Sequence, residues 1–270
     1  MALSSDVDAE GTVLREVEGM AAGSPLLEEL APIYYRHVPA EDLESRGPAD
    51  LLGAMVSHVE LGSERPPGTA RVRVHTPTDD ADGWSCGGPV VEIVTDDMPF
   101  LVDSVAAELT RLGRSLRLVI HPVLSVRRDV TGVLEGIEAD GQGAKESWIH
   151  AEISRGGASA SEIEAALRRV LSDVREAVED WPRMRAKAVE TADQLEEHPP
   201  AGIAPDQSAE AAALLRWVAD DNFTFLGYRE YDLLSDDGRD RLRAVPGTGL
   251  GILRSDPDLA SATDYLSAPV

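Results

Sequence analysis

The stretch Val90–Asp103, VVEIVTDDMPFLVD, decides how the chain is read. Val90, Val91, Ile93 and Val94 form a short apolar run rich in β-branched residues, as a buried strand requires. Thr95-Asp96-Asp97 closes it. Pro99 suits a first helical position, where its missing N–H costs nothing, and Asp96 or Asp97 is placed to cap the helix. Leu101, Val105, Leu109 and Leu112 follow at helical spacing, and Gly113 ends the helix. A strand running into a helix N-terminus leaves free N–H donors and the positive end of the helix dipole at the turn. Such a turn holds a carboxylate or phosphate, or stands as a capped βα connection with no ligand.

Downstream, Leu116, Leu118, Ile120, Val123 and Val126 predict one long strand, with Pro122 marking an edge or a bulge. Residues 133–145 read as a loop, and Ser147–Ser154 (SWIHAEIS) as the returning strand of an antiparallel hairpin. Ser159 or Ser161 caps a long helix, Ser161 and Glu164 standing at capping-box spacing. Ile163, Leu167, Val170, Val174, Val178 and Trp181 form its apolar stripe. Pro182 breaks or kinks it, and a more polar helix continues toward Glu197. The order β, α, β, β, α over residues 90–181 needs one more strand to make a split βαβ sandwich, with helices on one face of an antiparallel sheet. Arg71–His75, which alternates, supplies it, or else a strand after residue 205 does.

Residues 1–68 read as a helical lead-in, with helices opening at Pro25 and Pro48, and residues 69–198 as the α+β domain. Residues 199–207 are a proline-rich linker, and 208–270 begin a second α+β domain: a helix from Ser208, a strand over Phe223–Leu234 and a partner over Leu242–Val245. Gly247-Thr248-Gly249-Leu250-Gly251 lacks the Lys-Ser/Thr of a P-loop and opens no helix after a strand, so it reads as a flexible turn. The chain closes on Ala268-Pro269-Val270 without a terminal element, as a truncated piece of a longer protein does.

The formal charge is -24, from 25 basic and 49 acidic residues. That balance opposes nucleic acid and anionic membranes as partners. The single cysteine, Cys86, excludes an intrachain disulfide and has no base near it in sequence. With no signal-peptide pattern and no apolar run of about 20 residues, a cytoplasmic location is expected. His75, His121 and His150 all fall on predicted strands, where partly buried, hydrogen-bonded imidazoles are expected rather than a metal site. No Ser/His/Asp order or carboxylate pair marks a free-standing hydrolase.

Asp97-Met98-Pro99-Phe100-Leu101-Val102-Asp103-Ser104, Ile120-His121-Pro122-Val123, Glu146-Ser147-Trp148-Ile149-His150 and Asp220-Asp221-Asn222-Phe223-Thr224-Phe225-Leu226-Gly227-Tyr228 resemble the amino-terminal region of the large bacterial NAD-dependent glutamate dehydrogenases. Tyr34-Tyr35 and Val38–Leu43 agree. The resemblance implies ACT-type regulatory modules, here an ACT/ferredoxin-like βαββαβ sandwich. They would precede a catalytic domain that interconverts glutamate and 2-oxoglutarate with NAD. It implies no catalytic residue, metal or cofactor in this stretch, with NAD held by the catalytic domain. Its partners are then other domains and subunits of the same enzyme. The composition agrees, since the chain has only two lysines, Lys145 and Lys187, and no G-x-G-x-x-G unit. ACT modules bind amino acids near the first strand–helix turn, so Asp96, Asp97, Met98, Pro99, Phe100, Leu101 and Asp103 form the candidate effector site. Phe100 stands where a glycine is common, and a bulky side chain there opposes close approach of a ligand to the backbone. The competing reading is an interaction module with no ligand site.

Overall fold

A computed structural model describes residues 5–138, 141–236 and 239–254. They fall into two compact units divided between Leu171 and Ser172.

The first unit opens with four helices, α1 (Ser5–Ala21), α2 (Pro25–Tyr34), α3 (Ala40–Glu44) and α4 (Pro48–Gly62). Pro25 and Pro48 stand in the first turns of α2 and α4, where no N–H is lost. The sheet contains β1 (Arg71–His75), β2 (Val90–Asp96), β3 (Leu116–Ile120), β4 (Val123–Arg128), β5 (Leu134–Ile137) and β6 (Ala144–Ile153). Its order is β1-β2-β6-β4-β5, with β3 sharing the β6 edge with β4, and every pairing is antiparallel. A short helix, α5 (Asp79–Asp82), lies between β1 and β2; α6 (Leu101–Arg111) follows β2, and α7 (Ala160–Glu197) follows β6. Of the two strands offered for the open place beside β2, the structure uses Arg71–His75, paired Val72 to Ile93 and Val74 to Val91.

The single strand expected over 116–126 is two, β3 and β4, both paired to β6 and parted at His121-Pro122. Pro122 has no N–H for the ladder, but its carbonyl accepts the Trp148 N–H at 3.1 Å. The expected loop after Val133 contains β5, which zips onto β4 through Val126 and Ile137. Helix α7 runs through Pro182 without ending. Its capping box is Ser159 with Glu162: the Ser159 N–H donates to Glu162 Oε2 at 2.7 Å. Glu164, the residue first favoured for that role, instead accepts the Val74 N–H at 2.9 Å and ties α7 to the sheet edge.

Helices were expected on one face of the sheet; the structure covers both. Val91, Ile93, Ile149, Ala151 and Ile153 lie on the face of α6 and the start of α7, with Leu101, Val105, Leu109, Ile163 and Leu167 buried there. The lead-in helices cover the other face. Val17, Leu30, Tyr34, Tyr35, Leu43, Leu51 and Met55 form one core with Val94, Leu118, Ile120, Leu124, Val126 and Trp148. Gly62 ends α4 against the Trp148 ring, where a Cβ would lie 2.6 Å from the nearest ring carbon.

The second unit contains the rest of α7, α8 (Pro205–Trp217), a kinked turn (Val218–Asn222) in which Asp220 and Asp221 leave the helical conformation, and strands β7 (Gly227–Tyr228), β8 (Tyr231–Asp236), β9 (Arg239–Ala244) and β10 (Leu250–Gly251). The strands pair β7 with β10 and β8 with β9. Asp180 organises the unit, accepting the Gly251 N–H at 2.9 Å and Arg254 Nε at 2.8 Å. The expected ending at Ala268–Val270 lies outside the described residues.

Gly62→Ala is expected to cost about 1–3 kcal/mol, because the added methyl must displace a closely packed indole. Urea unfolding followed by tryptophan fluorescence measures it; an unchanged midpoint would refute the packing of α4 on β6.

Candidate functional site

The βα turn is tied down differently from the expectation. Helix α6 starts at Leu101, and Phe100 is its N-cap, with φ 70 and ψ 1 and no side-chain cap. Pro99 therefore precedes the helix instead of opening it. Asp96 and Asp97 do not cap it because each has a partner across the sheet. Asp96 Oδ1 lies 2.7 Å from Arg65 Nη2, and Asp97 Oδ1 accepts the Ser147 hydroxyl at 2.6 Å. The Asp97 N–H donates to the Lys145 carbonyl at 3.0 Å. Met98 is half-buried, Leu101 is buried, and Pro99 and Asp103 are exposed. Phe100 is 49% exposed. A left-handed backbone at a bulky residue costs of order 1–3 kcal/mol, and such residues gather at functional places.

Ser147 also lies 3.0 Å from His121 Nε2. The single hydroxyl proton goes to Asp97, so His121 Nε2–H donates and its neutral ring takes no proton from the serine. Nucleophile activation needs the opposite arrangement. Burial pushes His121 down and Asp97 pulls it up.

Beneath the lead-in helices the sheet presents a buried ionic face. Glu146 is fully buried between Arg65 Nη2 at 2.7 Å and Arg128 Nε at 2.6 Å, and it accepts Trp148 Nε1–H at 3.0 Å. Burial alone would raise its pKa; the two arginines outweigh this and hold it below the usual carboxylate range. Glu152, two strand positions beyond His150, meets Arg46 at 2.7 Å. Between them, Glu92 lies 2.7 Å from Arg73, 3.3 Å from His75 Nε2 and 3.9 Å from His150 Nδ1. Burial works against its charge, yet His75, His58, His150 and Arg73 hold it at about 2. His58 Nε2–H donates to the Ile93 carbonyl at 3.1 Å, which leaves Nδ1 to accept the Tyr34 hydroxyl at 2.7 Å. His58 is therefore neutral in one tautomer, and burial pushes its pKa down. Burial drives His150 down to about 3, against the pull of Glu92.

Of the three histidines expected on strands, His75 and His150 meet at Glu92, while His121 lies between β3 and β4 on Ser147 and His58 joins from α4. Among the described residues no group of three His, Cys, Asp or Glu side chains is arranged to hold a metal ion, and no helix is long and apolar enough to cross a membrane.

A family model described as "Glutamate dehydrogenase, ACT1 domain" matches residues 30–168. The chain is 39% identical over 236 residues to the NAD-specific glutamate dehydrogenase of Halomonas elongata, covering 85% of this chain and 15% of that protein. It is 33% identical over 237 residues to the NAD-specific glutamate dehydrogenase of Pseudomonas aeruginosa, covering 85% and 14%, and 31% over 215 residues to that of Mycobacterium tuberculosis, covering 77% and 13%. The chain belongs to the NAD-specific glutamate dehydrogenase family. It corresponds to the amino-terminal region, and spans about 15% of the length of the Halomonas relative.

Within this glutamate dehydrogenase region, the remaining sequence candidates are occupied by packing. The Cys86 thiol donates to the Gly88 carbonyl at 3.3 Å, and burial raises its pKa, which disfavours the thiolate. Gly249 and Gly251 are closely packed: an added Cβ would strike the Leu253 and Leu226 carbonyls. That makes a fitted turn of what read as a flexible one. The residues missed by sequence reasoning are Arg65, Glu92 and Glu146. For Glu146 a signal was present in the alternation Glu146, Trp148, His150, Glu152 along β6, a pattern that ordinarily marks a solvated face.

The neutral buried His150 makes stability depend on pH. Its folded value of about 3 lies below the ordinary imidazole value of about 6.5, so the unfolded chain binds more protons and stability falls as pH drops from 6.5 toward 3. Glu92, held at about 2, adds a loss from 4.5 downward. His150 contributes up to about 1.36 kcal/mol per pH unit. Denaturant unfolding between pH 7 and 4 should show a shallower slope for His150→Asn; an unchanged slope would contradict the neutral imidazole.

Proposed function

We propose that this chain is the non-catalytic regulatory and assembly region of an NAD-dependent glutamate dehydrogenase. The whole enzyme would be cytoplasmic and would deaminate L-glutamate oxidatively to 2-oxoglutarate and ammonia, with NAD bound in its catalytic domain. The observation that carries the reading is the closure of the ionisable groups on the sheet. Glu146, Glu152 and Glu92 are matched by Arg65, Arg128, Arg46 and Arg73 inside the fold, and Ser147 gives its proton to Asp97. These groups serve the fold, not bond-breaking chemistry. The partners are then other domains and subunits of the same enzyme.

An amino-acid effector at residues 96–103 is supported by one feature of the turn. With Asp96 neutralised by Arg65 and Asp97 hydrogen-bonded to Ser147, the first N–H groups of α6 have no side-chain cap and suit a carboxylate. Phe100 favours the second reading, an interaction module with no ligand: it is an exposed aromatic held in a conformation that suits glycine.

Phe100→Gly separates the two. Relief of the left-handed strain is expected to raise the stability of this chain by about 1 kcal/mol. If Phe100 is an interface residue, the same variant weakens assembly of the full-length enzyme in sedimentation velocity. If the turn holds an effector, assembly persists and the thermal shift given by amino acids grows. Loss of stability together with unchanged assembly and unchanged shift would refute both roles.

A further inference from the structure

Helix α8 in the second unit is packed inside out. The side chains it buries are the small ones, Ser208 and Ala212, and the Ser208 hydroxyl donates to the Leu195 carbonyl of α7 at 2.7 Å. Its large apolar residues stand in solvent: Leu214 is 57% and Trp217 55% exposed, three positions apart on one face. A helix that ends a fold at its surface does the reverse. Trp217 shares with Pro182, Ala186 and Val189 of α7 the wall of an open groove of about 970 Å³. We propose that this groove and the outward face of α8 seat an amphipathic segment with a basic flank, supplied by the polypeptide that follows residue 270 in the full-length enzyme. This rests on the assembly role proposed above and deepens it by naming a surface and its occupant.

Three observations support it. The second unit does not close its own core. Among its described residues the buried apolar side chains larger than alanine are Val174, Met184 and Leu250, whereas Val189, Leu214, Trp217, Phe223, Leu226 and Leu233 are all exposed. Exposed apolar surface on that scale marks an interaction site. Secondly, the rim is acidic. Glu190, Asp193, Glu197 and Asp220 line the groove against two guanidiniums, and these are engaged inside the unit, Arg216 with Asp193 and Glu196 and Arg185 with the Ala219 carbonyl. Negative potential around an apolar floor selects Lys or Arg beside apolar residues. It opposes the two nearer occupants. Residues 255–270 carry Asp256, Asp258 and Asp264 and no basic residue. A second copy of the chain, at a formal charge of -24, would set one acidic rim against another across a two-fold axis. Thirdly, the enzyme has ample chain to supply the segment, since the match to the Halomonas relative covers 15% of that protein.

The test places a photoreactive benzoyl-phenylalanine at the Leu214 position of the full-length enzyme and maps, by mass spectrometry, the peptide joined to α8 on irradiation. A cross-link to a segment beyond residue 270 that sets apolar residues beside Lys or Arg is expected. Hydroxyl-radical labelling of Trp217 should be roughly tenfold slower in the full-length enzyme than in residues 1–270 alone, because a packed interface excludes water. Glu190→Lys/Glu197→Lys, which reverses two rim charges on α7, should restore most of that labelling in the full-length enzyme. Equal labelling of Trp217 in the two proteins, a cross-link only to residues 1–270 of the same or a second copy, or labelling indifferent to the charge reversal would overturn the proposal. None of these outcomes decides the assembly reading itself, which Phe100→Gly tests in the first unit.

Discussion

Glu146 is the charge on which the first unit depends. Its carboxylate has no contact with water, and two guanidiniums and an indole N–H converge on it. An isolated buried carboxylate costs several kcal/mol in lost hydration, and the attraction repays that only when geometry and hydrogen bonding are complete. Here they are. The partners come from separate parts of the chain: Arg65 from the end of the helical lead-in, Arg128 from β4, and Glu146 and Trp148 from β6. Arg65 also reaches Asp96 and donates to the Thr69 carbonyl at 2.8 Å. Satisfying one carboxylate therefore fixes the lead-in, two strands and the start of the βα turn together.

The same constraint explains why the turn behaves as it does. Asp96 is held by the Arg65 guanidinium and Asp97 by the Ser147 hydroxyl, and carboxylates engaged there do not cap the helix N–H groups. The helix consequently begins later, at Leu101, and the chain makes the corner through a left-handed Phe100. The buried face continues through Glu92, where Arg73 and imidazoles gather, and ends with Glu152 and Arg46. A sandwich with helices on one face needs only apolar inward residues. This one has a second helical layer, and the face beneath it combines Trp148 and Val94 with matched charges.

Much of the architecture was legible in the sequence because it rests on local rules. The β-branched run at 90–94, the alternation at 71–75 and the helical spacing at 101–112 each fix an element from a few residues. The site was less legible because partners distant in sequence decide it. Nothing near Asp96 announces Arg65, 31 residues earlier. Both Ser159–Glu162 and Ser161–Glu164 fit a capping box, and the choice was made by Val74, whose free edge N–H claims Glu164. The polar alternation of β6 reads as solvated until the lead-in helices are seen to cover it. Pro182 sits inside α7, where local propensity alone predicts a break.

The most direct test of this account is a double-mutant cycle between Arg65 and Glu146, using Arg65→Ala, Glu146→Ala and the pair, with stability read by urea unfolding at pH 7. If the buried carboxylate fastens the lead-in to the sheet, each single variant loses about 3–5 kcal/mol. The pair then loses less than the sum by about 2–3 kcal/mol, because removing one charge relieves the other. Single losses below about 1 kcal/mol that simply add would contradict it, and would mean that apolar packing alone holds the helical layer in place.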